Sequence, residues 1–213
     1  APPPPPAVVD MAVRVPFVRS NIPRIDVHTH ILLGAAIRAA RLFDRQGIVH
    51  AVNLSGTPAD VGLDDFIADA DIAYKRFTIF TNLDYSQCER AGYGDRMAAD
   101  LVRAKALGAR GLKIPKILGL GATGPDGKLL AVDDPGLDAV FNKAGELGMP
   151  VAIHIGDPQA FWQEPNEQNE RREELQAHPG WSFWGPHQRG EIPSWMSLYE
   201  AFVRRVARQQ HPP

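Results

Sequence analysis

The stretch Ile25-Asp26-Val27-His28-Thr29-His30 decides how the rest of the chain is interpreted. Apolar and polar residues alternate along it, which is the period of a half-buried β-strand. Because successive side chains of a strand point to opposite faces, Asp26, His28 and His30 are expected to share one face. Two imidazoles two residues apart at the end of a strand can reach one metal ion, and zinc accepts imidazole ligands. The alternative is a chance pair of surface histidines.

The composition is that of an ordinary globular domain. Of 213 residues, 44% are hydrophobic and 23% are charged, with a formal net charge of -2. No basic stripe is present, so a nucleic-acid partner is not expected. No apolar run approaches the roughly 20 residues that a membrane helix needs, so no membrane association is expected either. The single cysteine, Cys88, excludes an internal disulfide and stands in a polar stretch, where an incidental thiol is expected.

Two parts are distinguished by composition. Residues 1–21 form a proline-rich arm, to which we assign no chemistry, and residues 22–213 form one barrel-like domain. No signal peptide is visible, and the first residue is Ala1. If Ala1 is a processed N-terminus, a periplasmic or secreted protein is favoured; otherwise the cytoplasm is expected.

Strand and helix patterns alternate through the domain, which predicts parallel strands covered by helices. The predicted strands are 24–30, 48–55, 77–84, 109–114 and 150–155, and the predicted helices are 31–45, 64–75, 95–107, 134–147 and 194–210. No glycine-rich dinucleotide fingerprint follows the first strand. The pattern predicts a TIM-type (β/α)8 barrel of which only about five units are visible, and hence a partial or truncated barrel. Its edge strands would be exposed, and a homo-oligomer or another partner chain is one way to cover them.

Strand parity extends the site beyond the first strand. In Pro150-Val151-Ala152-Ile153-His154-Ile155, the branched apolar residues suit packing against helices, which directs His154 to the barrel interior. In Gly111-Leu112-Lys113-Ile114 the same argument directs Lys113 inward. Three strands therefore each place a polar group inward near the C-terminal end, where barrel enzymes keep their chemistry.

These three segments, continued by Gly156-Asp157-Pro158, resemble the amidohydrolase superfamily, and in particular its amidohydrolase-2 branch of hydrolases and aminocarboxymuconate-semialdehyde-decarboxylase-like enzymes. The segments Asn169-Glu170-Arg171 and Glu174-Leu175 are similar to that branch as well. The resemblance runs from about residue 22 to the C-terminus.

The resemblance implies a divalent metal at the barrel mouth, zinc first and manganese as the alternative. Carried over by position, it implies that His28, His30 and His154 are metal ligands. Lys113 takes the place where some relatives carry a carboxylated lysine that bridges two metals; its other interpretation is a cation that binds a substrate carboxylate. Asp26 lies a layer deeper and is expected to support the ligands rather than to bind metal.

The chain departs from the family in one respect. The family supplies a further histidine from strand 6 and an aspartate from strand 8, and this sequence stops before both. His178, His187 and His211 stand in loop-like or terminal contexts and are not expected to replace them. An inactive truncated fragment is therefore one alternative.

Neutral and aromatic residues complete the predicted pocket. Asn82 ends strand 3, Trp162 belongs to an aromatic segment that could cover a planar substrate, and Arg171 lies in the family-like segment. For Asn82 and Trp162, loop capping and simple coverage of the barrel end are alternatives.

The activity expected is hydrolysis of a small amide, ester or lactone, with a metal-dependent decarboxylase as the alternative. A TatD-like nuclease is disfavoured, because Lys113 replaces the acid expected on strand 4 and no phosphate-binding basic surface is visible.

Overall fold

The structure is a computed structural model, and it describes residues 22–155 and 157–209. The predicted arm therefore lies outside the described residues. The five strands are β1 (Arg24–Thr29), β2 (Ile48–Asn53), β3 (Phe77–Asn82), β4 (Gly111–Ile114) and β5 (Val151–Ile153). The α-helices are α1 (Ala36–Gln46), α2 (Leu63–Ile72), α3 (Tyr93–Leu107), α4 (Asp138–Glu146), α5 (Arg172–Ala177), α6 (Trp184–Gln188) and α7 (Trp195–Arg208).

The strands form one parallel sheet in the order β1-β2-β3-β4-β5. A doubly wound sheet reverses its strand order at a switch point, and this sheet never does. Because each crossover has the same hand, sequential parallel strands receive their helices on one face, as in a (β/α) barrel. The partial TIM-type barrel predicted from the sequence is confirmed.

The main core lies between the sheet and its helices. It contains, among others, Ala51, Leu63, Ile79, Leu101, Leu112, Ile114, Val140 and Phe141. A smaller cluster forms in the segment after β5, where Phe161, Trp162, Leu175 and Leu198 are buried together. Cys88 is also buried in the main core, so its polar sequence neighbours did not predict its surroundings.

Helix ends follow the glycine signals, and one helix start does not. Gly47 ends α1 with a φ of 66°, in the left-handed conformation that favours glycine. The predicted helix 31–45 begins only at Ala36, and Leu32 is exposed rather than placed on a helix face. The carboxylate of Asp69 in α2 accepts hydrogen bonds from the backbone N–H groups of Gly34 and Ala36. A residue 33 positions away thus fixes the start of α1.

The helix α7 is held against the β4–α4 region by a buried cation. Arg205 is 1% exposed, and its guanidinium pairs with the carboxylate of Asp138. It also donates to the backbone oxygens of Val132 and Asp134 and lies over the ring of Phe141. None of the helices in the described ranges is long and apolar enough to cross a membrane.

Candidate functional site

The strand β1 presents the histidine pair through an irregular pairing with β2. Between the register pairs Asp26–Ala51 and Thr29–Asn53, β1 uses one residue more than β2. This is a β-bulge, which locally redirects side chains and is common beside active sites. The backbone N–H of His28 donates to Oδ1 of Asp26 at 3.0 Å within the bulge. Strict alternation, from which the shared face of Asp26 and His28 was predicted, is therefore interrupted here.

The rings of His28 and His30 nevertheless lie together. Their centroids are 5.4 Å apart in an edge-to-face arrangement, and both residues are exposed. Nδ1 of His30 is 3.0 Å from the hydroxyl of Ser55 at the end of β2. Because Nδ1 is engaged, Nε2 is the ring nitrogen of His30 that remains available to a ligand.

Asn53 ties the ends of β1 and β2 together and so supports this arrangement. Its Oδ1 accepts from the backbone N–H groups of Ile31 and Ser55, and its Nδ2 donates to the backbone oxygen of Ile31. Asn53 is buried, so its amide is fully used in fixing the loop. These contacts are those of a residue that caps a loop.

Lys113 lies in the most deeply buried strand of the sheet. All four residues of β4 are buried, and Lys113 itself is only 4% exposed. Burial lowers the pKa of its ammonium group. Within the part of the chain that the structure describes, this ammonium makes no hydrogen bond and no ion pair. A buried cation without a partner is ready to receive an anion.

Charges carried by three strands act on the pKa of His30. Burial is the largest cause that lowers the pKa of His30, and the positive charges of His28, Lys113 and His154 lower it further. These effects fall off with distance, so the four groups share one region at the C-terminal ends of β1, β4 and β5. A lowered pKa keeps His30 neutral, which is the form that binds metal.

His154 is engaged by an aspartate that follows it in the next loop. Its Nε2 lies 3.4 Å from Oδ1 of Asp157, and Oδ2 of Asp157 lies 2.7 Å from Nζ of Lys116. The pKa of Asp157 is lowered, first by its contact with His154 and then by Lys116, against the opposing effect of burial. Asp157 and Lys116 were not identified from the sequence. Each follows a residue predicted to face inward by three positions, just past a strand end, and Asp157 also stands in a segment that resembles the amidohydrolase superfamily.

Imidazoles are ligands that a divalent metal accepts, but in this structure the three predicted ligands do not surround one common position. In residues 22–155 and 157–209, no three His, Cys, Asp or Glu side chains are grouped as metal ligands would be. His28 and His30 form one pair, and His154 contacts Asp157 instead. A metal held by all three histidines would require His154 to lie closer to the pair than it does here.

The side chain of Asn82, one of the predicted substrate-binding residues, supports a loop. It stands beside Lys113 in the register of β3 and β4. Its Nδ2 donates to the backbone oxygens of Leu54 and Gly56, which follow β2. These contacts hold the β2 loop next to the candidate site.

Trp162 and Arg171 lie in the segment after β5. Trp162 is buried, its indole N–H donates to the backbone oxygen of Pro193, and its ring packs 4.4 Å from that of Phe183. Arg171 is exposed and pairs with Glu174 at 3.2 Å. Neither residue has a contact with the histidines or with Lys113 among those that the described structure contains.

Three other described histidines, His50, His178 and His187, have their contacts elsewhere, and Nε2 of His50 lies 2.8 Å from the hydroxyl of Thr78. His178 stacks on Trp181 with centroids 4.1 Å apart, and Nδ1 of His187 is 3.3 Å from the backbone oxygen of Ile192. His211 lies outside the described residues.

Comparison with known proteins gives one distant structural likeness. No family model matches the chain, and no curated protein matches it. Among solved structures, the chain is similar to a probable 2-pyrone-4,6-dicarboxylic acid hydrolase of Acinetobacter baumannii, crystallised with citric acid bound. The TM-score is 0.43 and the identity is 16%, over 70% of this chain and 55% of that one. The chain thus spans about half the length of that hydrolase, and the relationship is a distant structural one.

Proposed function

We propose that the described residues form part of the site of a metal-dependent hydrolase of the amidohydrolase-2 type. The observation that carries this proposal is the convergence of His28, His30, Lys113 and His154 at the C-terminal ends of three strands. A barrel places its active site at this end, and neither core packing nor loop structure requires three imidazoles and a buried ammonium there.

The histidines are the residues that would hold the ion. Zinc, when bound, supplies a Lewis acid and makes water a nucleophile near neutral pH. His28 and His30 provide imidazoles from one strand, and Ser55 fixes the ring of His30 through Nδ1. His154 would complete the set from the end of β5, with its Nε2 remaining beside Asp157.

Lys113 binds the substrate in this proposal. Its ammonium is buried and has no partner in the described structure, so a substrate carboxylate or a developing oxyanion would find an uncompensated positive charge beside the histidines. The substrates expected are small amides, esters or lactones that carry a carboxylate.

Metal analysis tests the proposal directly. The protein is equilibrated with zinc or manganese without chelator, freed of excess metal and analysed for bound metal. We expect about one zinc ion per chain in the wild type, and loss of zinc in His28→Ala/His30→Ala and in His154→Ala. His178→Ala is the matched control, because His178 stacks on Trp181 away from the site. A wild-type protein without metal, or a double variant that retains it, would contradict the proposal.

Product analysis tests the reaction class. The metal-loaded protein is given carboxylated lactones and esters in ¹⁸O-labelled water, with Lys113→Met as the variant that lacks the anion-binding group. Hydrolysis incorporates label into the product and is expected to fall in Lys113→Met. Carbon dioxide release without incorporation of label would replace the hydrolase proposal by the decarboxylase.

A further inference from the structure

Asp157 joins three separate parts of the chain at the mouth of the barrel. Its carboxylate lies between Nε2 of His154 at 3.4 Å and Nζ of Lys116 at 2.7 Å. Its backbone oxygen accepts a hydrogen bond from the indole N–H of Trp195, the first residue of α7, at 3.1 Å. The side chain of Asp157 is 14% exposed, so both its ionic contacts are partly shielded from water.

Lys116 is itself held in place from a second direction. Its ammonium lies 5.7 Å from the ring centroid of Phe183, which packs against Trp162 in the aromatic cluster after β5. A cation over an aromatic face is attracted by the ring, so Lys116 is restrained both by Asp157 and by Phe183. Lys116 is therefore held beside Asp157 by two contacts.

We propose that Asp157 and Lys116 are positioning residues for His154: Asp157 holds the imidazole through Nε2, and Lys116 holds Asp157. This leaves Nδ1 of His154 as the nitrogen directed to a ligand. His30 is arranged in the opposite sense, because Ser55 engages its Nδ1 and leaves Nε2. The inference rests on the proposed function for the metal, but the contact between Asp157 and His154 exists without one.

The physical basis is the orientation of an imidazole by a carboxylate. An aspartate that accepts from one ring nitrogen selects the tautomer, restricts rotation of the ring and makes the other nitrogen more basic. Without Lys116 the carboxylate would be free to adopt another rotamer. With Lys116 bound to Oδ2, Oδ1 stays on His154.

The first experiment reads the ring of His154 in the metal-free protein. Long-range ¹H–¹⁵N NMR at mildly alkaline pH distinguishes the two neutral tautomers, and His154→Ala assigns the signal. We expect the tautomer protonated at Nε2 in the wild type and a mixture in Asp157→Ala. Asp157→Asn, whose amide oxygen still accepts a hydrogen bond, should retain more of the wild-type tautomer. An unchanged tautomer in Asp157→Ala overturns the inference.

The second experiment measures zinc affinity by competition with a chelator. Loss of such a supporting carboxylate typically weakens metal binding by about 10- to 100-fold, which is the loss expected for Asp157→Ala. Lys116→Met should weaken binding less, because Asp157 remains. The matched controls are Asp126→Asn and Lys128→Met, which remove an exposed lysine–aspartate pair in the loop between β4 and α4 and should leave affinity unchanged.

The two experiments separate the two proposals. If the wild type binds zinc and Asp157→Ala binds it equally well, the positioning role is wrong while the metal site stands. If no variant and no wild type binds zinc, the proposed function is wrong, and the tautomer of His154 alone decides the positioning role. Thermal unfolding of each variant identifies any loss of affinity that comes from misfolding.

Discussion

The strands β1 and β4 contribute to the same candidate site from opposite surroundings. In β1, Ile25 and Val27 are 60% and 69% exposed, and the histidines of the pair are exposed as well. In β4, every residue is buried and Ile114 is 0% exposed. The imidazoles carried by the exposed strand β1 are open to a ligand. In β4, by contrast, burial lowers the pKa of Lys113. Similar inward positions on two strands thus acquire different chemistry from their neighbours.

The largest effect expected from this contrast concerns stability. Ile114→Ala removes a fully buried side chain beside β5 and should lower the free energy of unfolding by about 2–5 kcal/mol. Ile25→Ala makes the same change in an exposed position and should alter it by no more than about 0.5 kcal/mol. Urea unfolding of the two variants measures the difference. Equal losses would mean that β1 is as well packed as β4.

The second prediction concerns Arg205, the buried residue that anchors α7 to the segment before α4. Replacement by Met leaves the backbone oxygen of Val132 without its donor and removes the ion pair with Asp138, which should cost about 1–3 kcal/mol. Arg204→Met removes an exposed pair with Asp133 and should cost at most about 1 kcal/mol. Urea unfolding under identical conditions compares them. A larger loss in Arg204→Met would be inconsistent with the anchoring role of Arg205.

The third prediction concerns the free energy that is lost by burying the charge of Lys113 in β4. Because burial disfavours the ammonium of Lys113, Lys113→Met should raise the free energy of unfolding by about 1 kcal/mol near neutral pH. Between the lowered pKa of the folded protein and the ordinary value of 10.5, the unfolded chain binds more protons, so wild-type stability rises with pH. The advantage of Lys113→Met should therefore shrink toward alkaline pH.

Urea unfolding at about pH 7 and about pH 10 measures this change in the difference between the two proteins. Lys128→Met serves as the control, since Lys128 is exposed in a loop. A constant difference at both pH values would show that the pKa of Lys113 is not lowered.

The smallest expected effect is a change in the pKa of His30, which follows β1, when the charge of Lys113 in β4 is removed. The positive charge of Lys113 contributes to the lowered pKa of His30, so Lys113→Met should raise that pKa toward 6.5. An NMR titration of the metal-free protein follows the imidazole signal, with Lys128→Met as the control. If Lys113→Met leaves the titration of His30 unchanged, the two groups do not share one site.

Local patterns predicted most of the fold and part of the site. Alternation and helical periodicity predicted five strands and the helices that separate them, because each pattern depends on neighbours within one element. For the candidate site they predicted an inward Lys113 and a pairing of His28 with His30, and the rings of that pair lie together in the structure. They missed the late start of α1, because Asp69, which fixes it, belongs to α2.

By itself, the sequence determined the order of parallel strands and the histidines and lysine that their ends carry. The tertiary structure alone decided the bulge in β1, the burial that lowers the pKa of Lys113, and the contact of His154 with Asp157 and Lys116. Lys116 and Asp157 are 41 residues apart and follow different strands. Their meeting depends on how β4 and β5 align, which no periodicity within either strand contains.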